Sequence, residues 1–185
     1  MQTTLNKIRD HSPCVEGWSK LLSFLGKTKA DNEPLPILTI LGSNGLDDAL
    51  WCLRAVDDHD REIRLFAVWC ARQVQHLMTD QRSIDALDVS ERFANGQATS
   101  GELVAARAAA RAAATSDAAT SDAATSDAAW AAWNAARAAA WAATSDAAWA
   151  ARDARDARDA ASDAARDARD AQKAKLIEIC NNVGA

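Results

Sequence analysis

The sequence predicts an all-α fold in two parts: an N-terminal bundle of short helices over residues 1–98, then long Ala-rich helices over 99–185, closely packed as a hairpin or bundle. Three observations predict it. Apolar residues in the first part recur at intervals of three and four, the period of one helix face. Thr99 and Glu102 stand at capping-box spacing directly before the Ala-rich tract. Neither Gly nor Pro interrupts residues 102–171, and about half of the residues from Ala105 to Ala171 are Ala, the strongest helix former.

Taken in order, Val15, Trp18, Leu21, Leu22 and Leu25 fall at helical spacing, and Gly26 follows as a terminator. Pro34 and Pro36 flank PLPILTIL, which reads either as a short strand by its β-branched content or as a first helical turn opened by proline. GSNG is a turn. From Leu46, LDDALWCLRAV sets Leu46, Leu50 and Leu53 on one stripe, with Asp47 and Asp48 in the first turn, where carboxylates complement the helix dipole. After DDHD, the spacing of Ile63, Phe66, Ala67, Cys70, Val74 and Leu77 predicts one amphipathic helix running through Leu77. Ser83 is the expected cap of the next helix, which Asn95 and Gly96 close.

From Ala113 to Ala160 the chain has no Leu, Ile, Val, Gly or Pro. A single helix from 102 to 171 would be a rod of about 105 Å, and a rod needs a partner to pack against. Within it, three tandem AATSD units place Thr115, Thr120 and Thr125 five residues apart, a step that turns a helix about 140° beyond a full turn. The threonines therefore make no ice-binding row, and Asp117, Asp122 and Asp127 make no convergent calcium site. A pentapeptide β-solenoid would need a Leu or Phe per unit, and none is present. Thr, Ser and Asp compete for backbone N–H groups, so the TSD triplets are the expected breaks: Asp146 with Thr144 and Ser145 first, the block from Thr115 to Asp127 next. Further on, Ala154, Ala157, Ala161, Ala164, Ala168 and Ala171 step by three and four as an all-Ala heptad seam. Arg152 with Asp156, Arg155 with Asp159 and Arg166 with Asp170 are spaced as solvated i,i+4 pairs.

A net charge of −5, from 21 basic and 26 acidic residues, gives no field that would draw the chain onto nucleic acid or an anionic membrane. MQTTLNKIRD opens no apolar leader and no uncharged apolar run reaches membrane-spanning length, so the expectation is a cytoplasmic protein with no membrane association. Cys14, Cys52, Cys70 and Cys180 lack metal-ligand spacing and are expected to be reduced, buried thiols. His11, His59 and His76 are scattered, so neither a metal nor a cofactor is expected. Phosphate-cradling and nucleophile-elbow motifs are absent. Asp47 and Asp48 with Asp57, Asp58, His59 and Asp60 are the only polar cluster, and their positions fit helix starts better than acid/base chemistry, so no catalytic residue is assigned.

The candidate contact residues are Trp130, Trp133, Arg137, Trp141 and Trp149. On a continuous helix Trp130, Trp133 and Trp141 lie within roughly 80° of one another, with Arg137 between them. Trp and Arg dominate protein hot spots, although the same side chains also serve to anchor a helix on its own bundle. A second set, Trp51, Arg54, Arg61, Arg64, Trp69 and Arg72, combines stacking and charge as a nucleotide or signalling molecule would require.

NGLDDALWCLRAVDDHDREIRLFAVWCARQVQHLM, followed by ERFANGQATSGEL and an Ala/Trp/Arg tract, resembles the immunity-protein family of bacterial polymorphic toxin systems over roughly residues 12 to 110. The TSD insertions and ARD triplets depart from the plain AAW repeats of that group's tails. The resemblance implies a cytoplasmic, non-enzymatic protein that neutralises a toxin by binding it, and it brings no catalytic residues. Two other expectations stand beside it: a phage-borne or host defence-related module that sequesters a nucleotide or signalling small molecule, and a structural protein whose Ala-rich helices self-associate into a homo-oligomer.

Overall fold

The computed structural model describes residues 1–123, 134, 137–139, 141–142, 146–160 and 165–183. Among them the architecture is all-α, with a single two-stranded pairing. The chain divides into two compact units, Met1–His59 with Leu176–Ala185, and Asp60–Lys175. The change of composition at residue 98 falls inside the second unit, because the helices on either side of it pack on each other.

In the first unit β1 (Gln2–Thr3) pairs antiparallel with β2 (Leu35–Pro36), Gln2 opposite Pro36 and Thr3 opposite Leu35. The Thr3 hydroxyl, buried, donates to the Ala55 carbonyl. Thr4 caps α1 (Leu5–Asp10), its hydroxyl oxygen accepting from Lys7 N–H at 3.2 Å, and the helix buries Leu5 and Ile8. Helix α2 (Val15–Phe24) has the predicted span and ends at Gly26, whose φ of +64° favours glycine. Its periodicity overstates its burial: Leu21 is buried, whereas Val15 is 82% exposed and Phe24 61%. PLPILTIL takes both of its readings in succession, Leu35 and Pro36 as strand, then α3 (Ile37–Ser43) with Pro36 at its N-cap. Gly45, at φ +99°, opens α4 (Leu46–Cys52), and a 3₁₀ turn, Leu53–Ala55, follows. Leu46, Leu50 and Leu53 are buried as their stripe requires. Large aliphatics, Leu5, Ile8, Ile37, Ile40, Leu50 and Leu53, fill this core, which Leu176 joins from the C-terminal helix.

In the second unit α5 (Asp60–Arg72) buries Ile63, Phe66, Ala67, Val68, Cys70 and Ala71. It stops one turn short of the predicted end. Val74 and Leu77 belong to a 3₁₀ turn (Gln75–Leu77 with Val74 at its cap), where tighter i→i+3 bonding replaces the α ladder. The cap of α6 (Gln81–Ala94) is Asp80, which accepts from Arg82 N–H at 2.8 Å; Ser83 instead lies one turn in, fully buried. Asn95 and Gly96, at φ +71°, close α6 as expected. The capping box forms: Thr99 N–H donates to Glu102 Oε2 at 2.8 Å, and Glu102 N–H donates to Thr99 Oγ1 at 3.2 Å. Donation from the Thr99 N–H, and after it from the Thr99 hydroxyl, holds the Glu102 carboxyl below its usual range. From there α7 (Ser100–Ala123) runs through two TSD triplets without a break. Thr115 donates to the Arg111 carbonyl at 2.9 Å, which satisfies its hydroxyl within the helix. Helical residues 134, 137–139 and 141–142 precede α8 (Ala147–Ala160) and α9 (Ala165–Asn182). α5 packs on α6 and α8, and α6 on α7. At the α6–α7 contact Ala86 and Ala110 are fully buried with Ala106 against them. On α8 Ala147, Ala150, Ala151, Ala154 and Ala157 are buried. The Ala seam is therefore real at Ala154, Ala157 and Ala168, while Ala171 is exposed and Ala161 and Ala164 lie outside the described residues.

Candidate functional site

The strongest local chemistry surrounds the fourth TSD triplet. Asp146 interrupts the helix there, as its composition predicts: its Oδ1 accepts from Trp149 N–H at 3.4 Å and its carbonyl from Ala150 N–H at 3.0 Å, capping α8. Its own N–H donates to the Trp141 carbonyl at 3.2 Å, closing the preceding helical turn. Asp146 is thus bonded both to the preceding helical stretch and to the start of α8, and Trp141 lies against Trp149. Their rings stack with centroids 5.8 Å apart at 24°. Arg152, one turn further along α8, places its guanidinium 5.1 Å from the Trp149 centroid and is 3.8 Å from Asp156. Both tryptophans are half-buried, and Arg152 is exposed.

Beneath this group lies a carboxylate. Asp153 is 1% exposed, and Arg137 Nε sits 3.2 Å from its Oδ2, an ion-pair distance without hydrogen-bond alignment. The Trp141 side chain, whose only donor is the indole N–H, hydrogen-bonds the same carboxylate. Burial dominates its titration and pushes the carboxyl up to about 6, against the opposing pull of Arg137. On the other flank Gln172 of α9, also buried, donates to the Ala151 carbonyl at 2.9 Å and accepts from Arg155 at 2.9 Å. Arg137, Trp141 and Trp149 are therefore brought together, while Trp130 and Trp133 lie outside the described residues.

The second residue set is distributed differently. Trp51 and Arg54 belong to the first unit, where the guanidinium lies 4.6 Å from the Trp51 ring centroid. Arg61, Arg64, Trp69 and Arg72 belong to the second. There Arg72 pairs with Asp88 at 2.8 Å and Glu91 at 2.6 Å, Arg61 donates to Asn95 at 2.8 Å, and Arg64 covers Phe93 at 5.0 Å. Trp69 stacks on Phe66. Each of these arginines is engaged by α6 or by the residue that closes it.

Of the cysteines, Cys52, Cys70 and Cys180 are buried, and burial raises all three thiols, Cys52 to about 12. Cys14 departs from expectation: it is exposed and caps α2, its Sγ accepting from Gly17 N–H at 3.4 Å. The DDHD cluster is divided between tasks, Asp57 pairing with Lys7 and Asp60 opening α5. Among the described residues no three His, Cys, Asp or Glu side chains are grouped to hold a metal ion, and no helix is long and apolar enough to cross a membrane.

Asp153 and Gln172 were not legible as site residues from sequence. Asp153 sits in the first of three identical ARD triplets, yet a stripe through Ala150 and Ala157 at steps of three and four passes through it, and that stripe was the available signal. No protein-family model, no curated protein and no solved structure matches the chain.

Proposed function

We propose that the chain is a non-enzymatic binding protein of the immunity or inhibitor type, neutralising a toxin or defence effector by direct contact through the face that carries Trp141, Trp149 and Arg152. The observation that supports this reading most is the half-buried Trp141–Trp149 stack with Arg152 against Trp149. Two large aromatic rings and a guanidinium, held by a cap and a buried pair, form a pre-ordered anchor of the composition that dominates protein hot spots. The resemblance to immunity proteins supplies the class of partner, and a cytoplasmic setting goes with it.

The test is affinity capture from the native cell with the full chain and with Trp149→Ala/Arg152→Ala, both checked for helical content. A protein retained by the first and lost at least tenfold by the second supports the reading; equal retention overturns the assignment of the face. A nucleotide or other small molecule released by heat from both would favour the sequestration reading instead. Light scattering over a hundredfold concentration range separates self-association from either.

A further inference from the structure

Helix α8 carries ARD three times in succession, as Ala151–Asp153, Ala154–Asp156 and Ala157–Asp159, and its buried face is otherwise alanine. Among the described residues Asp153 is the only buried acid. We propose that Asp153 is the positioning residue that sets the register of α8 against its neighbours, and so decides that Trp149 is the residue of this helix that meets Trp141. The proposal rests on the recognition reading only for what the register serves; the register itself is measured without a partner.

A helix maps onto itself under a screw motion of three residues, about 4.5 Å along the axis with a turn of about 300°. If each residue of α8 moved to the place three further on, Ala147, Ala148, Ala151 and Ala154 would fill the places of Ala150, Ala151, Ala154 and Ala157, and the alanine face would be unchanged. Arg152 would take the place of Arg155 and the Ala148 carbonyl that of Ala151, so Gln172 would keep both of its bonds. Asp153 would reach the exposed place of Asp156. Over places 150–159 only two side chains would differ in kind: Trp149 for Arg152, and Ala150 for Asp153. Alanine packing and the buried amide therefore do not choose between these registers.

Asp153 does. In the observed register its carboxylate accepts from the Trp141 indole N–H and stands 3.2 Å from Arg137 Nε. Its Oδ2 has no hydrogen bond, so the indole bond falls on Oδ1. The slip just described would leave the indole N–H facing a methyl group and Arg137 without this acid, and a donor deprived of its acceptor is costly. The opposite slip would bring Asp156 to Asp153's place, but it would drive Asp153 into that of Ala150, which has no exposure. A carboxylate closed in without a cation is costlier still. Trp149 is the other residue that resists either slip, and its ring is half-buried where Asp153 is 1% exposed. A lone polar side chain in an apolar seam is the best-attested device by which packed helices keep one register, at a cost in stability. Here the cost is visible, because burial raises the carboxyl and Arg137 only partly opposes it.

The experiment measures the distance between spin labels at Asp156→Cys on α8 and Arg107→Cys on α7, both exposed positions of the second unit. It uses the full chain with Cys14→Ser, because Cys14 is the exposed thiol. One distance is expected in the otherwise wild-type chain and in Trp149→Ala. Asp153→Ala should add a second distance, with far-ultraviolet ellipticity unchanged and the Trp141–Trp149 circular-dichroism band reduced in proportion. Ala150→Asp/Asp153→Ala, which moves the acid back by one triplet, should show the second distance alone, since Asp at 150 then occupies the old place of Asp153. An Asp153→Ala chain that keeps the single wild-type distance, or that loses its helices, overturns the proposal. So does a relocated acid that leaves the distance where it was. A second distance in Trp149→Ala with none in Asp153→Ala would assign the register to the stack instead. If the register follows the acid yet Trp149→Ala/Arg152→Ala captures partners undiminished, the positioning role stands and the recognition reading falls; a register indifferent to the acid with lost capture gives the reverse.

Discussion

The two units build cores from different materials. In Met1–His59 helices of six to ten residues bury Leu5, Ile8, Ile37, Ile40 and Leu50, and the 3₁₀ turn after α4 buries Leu53, so each short element contributes large aliphatic surface. In Asp60–Lys175 helices α7 and α8, of 24 and 14 residues, bury mainly alanine, at positions 110, 113, 114, 147, 150, 151, 154 and 157. An alanine buries little surface, so such a helix stabilises the unit only by letting its backbone approach a neighbour that supplies the bulk. Here α5 and α6 supply it, with Ile63, Phe66, Val68 and Leu87. The comparison teaches that one core fails when side chains shrink and the other when they grow.

The largest effect expected from this contrast is in the first unit. Ile40→Ala, at a position with no exposure, should destabilise the chain by about 2–5 kcal/mol in urea unfolding, through lost transfer energy and a residual cavity. A cost below 1 kcal/mol would show that the aliphatic cluster is loosely packed and would erase the contrast.

Next comes the buried acid, which among the described residues only the second unit contains. The folded-state Asp153 carboxyl is raised, from 3.8 to about 6, so the folded chain holds this proton more tightly than the unfolded one. Its contribution to stability is therefore greatest below about pH 4, declines as pH rises to about 6 and is level above. Two pH units correspond to on the order of 2–3 kcal/mol. Asp153→Asn should flatten the dependence of the urea midpoint on pH across that window. A wild-type chain that instead loses stability through Asp153 on acidification would mean that the Arg137 pair outweighs desolvation.

The reverse experiment on packing is Ala154→Leu on α8. Overfilling a fully closed position should cost about 1–3 kcal/mol and reduce near-ultraviolet ellipticity, whereas the same change at exposed Ala171 should leave stability within about 0.5 kcal/mol. Equal tolerance at both sites would refute close approach of α5 and α8.

How far sequence carried depended on which core was being read. In the first unit large aliphatics at three- and four-residue spacing marked α2 and α4 well, as they did α5 at the start of the second, and Gly26 and Gly45 stand where positive φ was needed, as Gly96 does after α6. What they did not mark was a partner: Val15 keeps the helical rhythm but nothing covers it to more than a fraction. In the second unit the elements were legible through caps, with Thr99, Glu102 and Asp146 all acting as expected. Burial there was not. Successive ARD triplets rotate by about 300°, so Asp153 turns inward while Asp156 and Asp159 face solvent, although all three share one local sequence. Identity of residues in a three-residue repeat carries no information about facing, and the hidden carboxylate was lost for that reason.

The smallest predicted effects test the same point on a second repeat, with opposite signs at copies of one triplet. In the TSD of α7, Thr115 is exposed and returns its hydroxyl to the Arg111 carbonyl, a local bond that adds nothing a helix lacks. Thr115→Ala should therefore raise stability by a few tenths of a kcal/mol on propensity alone. In the TSD before α8, Asp146 supplies the acceptor for Trp149 N–H at a helix start, where the alternative is an unmet donor. Asp146→Ala should lower stability by about 1 kcal/mol and weaken the Trp141–Trp149 band with it. If both substitutions act in the same direction, the triplets are doing one job and the neighbouring sequence does not decide whether a helix continues. Opposite signs would place that decision in the surrounding fold: α7 runs on where α6 offers an alanine face, and α8 begins where the stacked tryptophans need a turn.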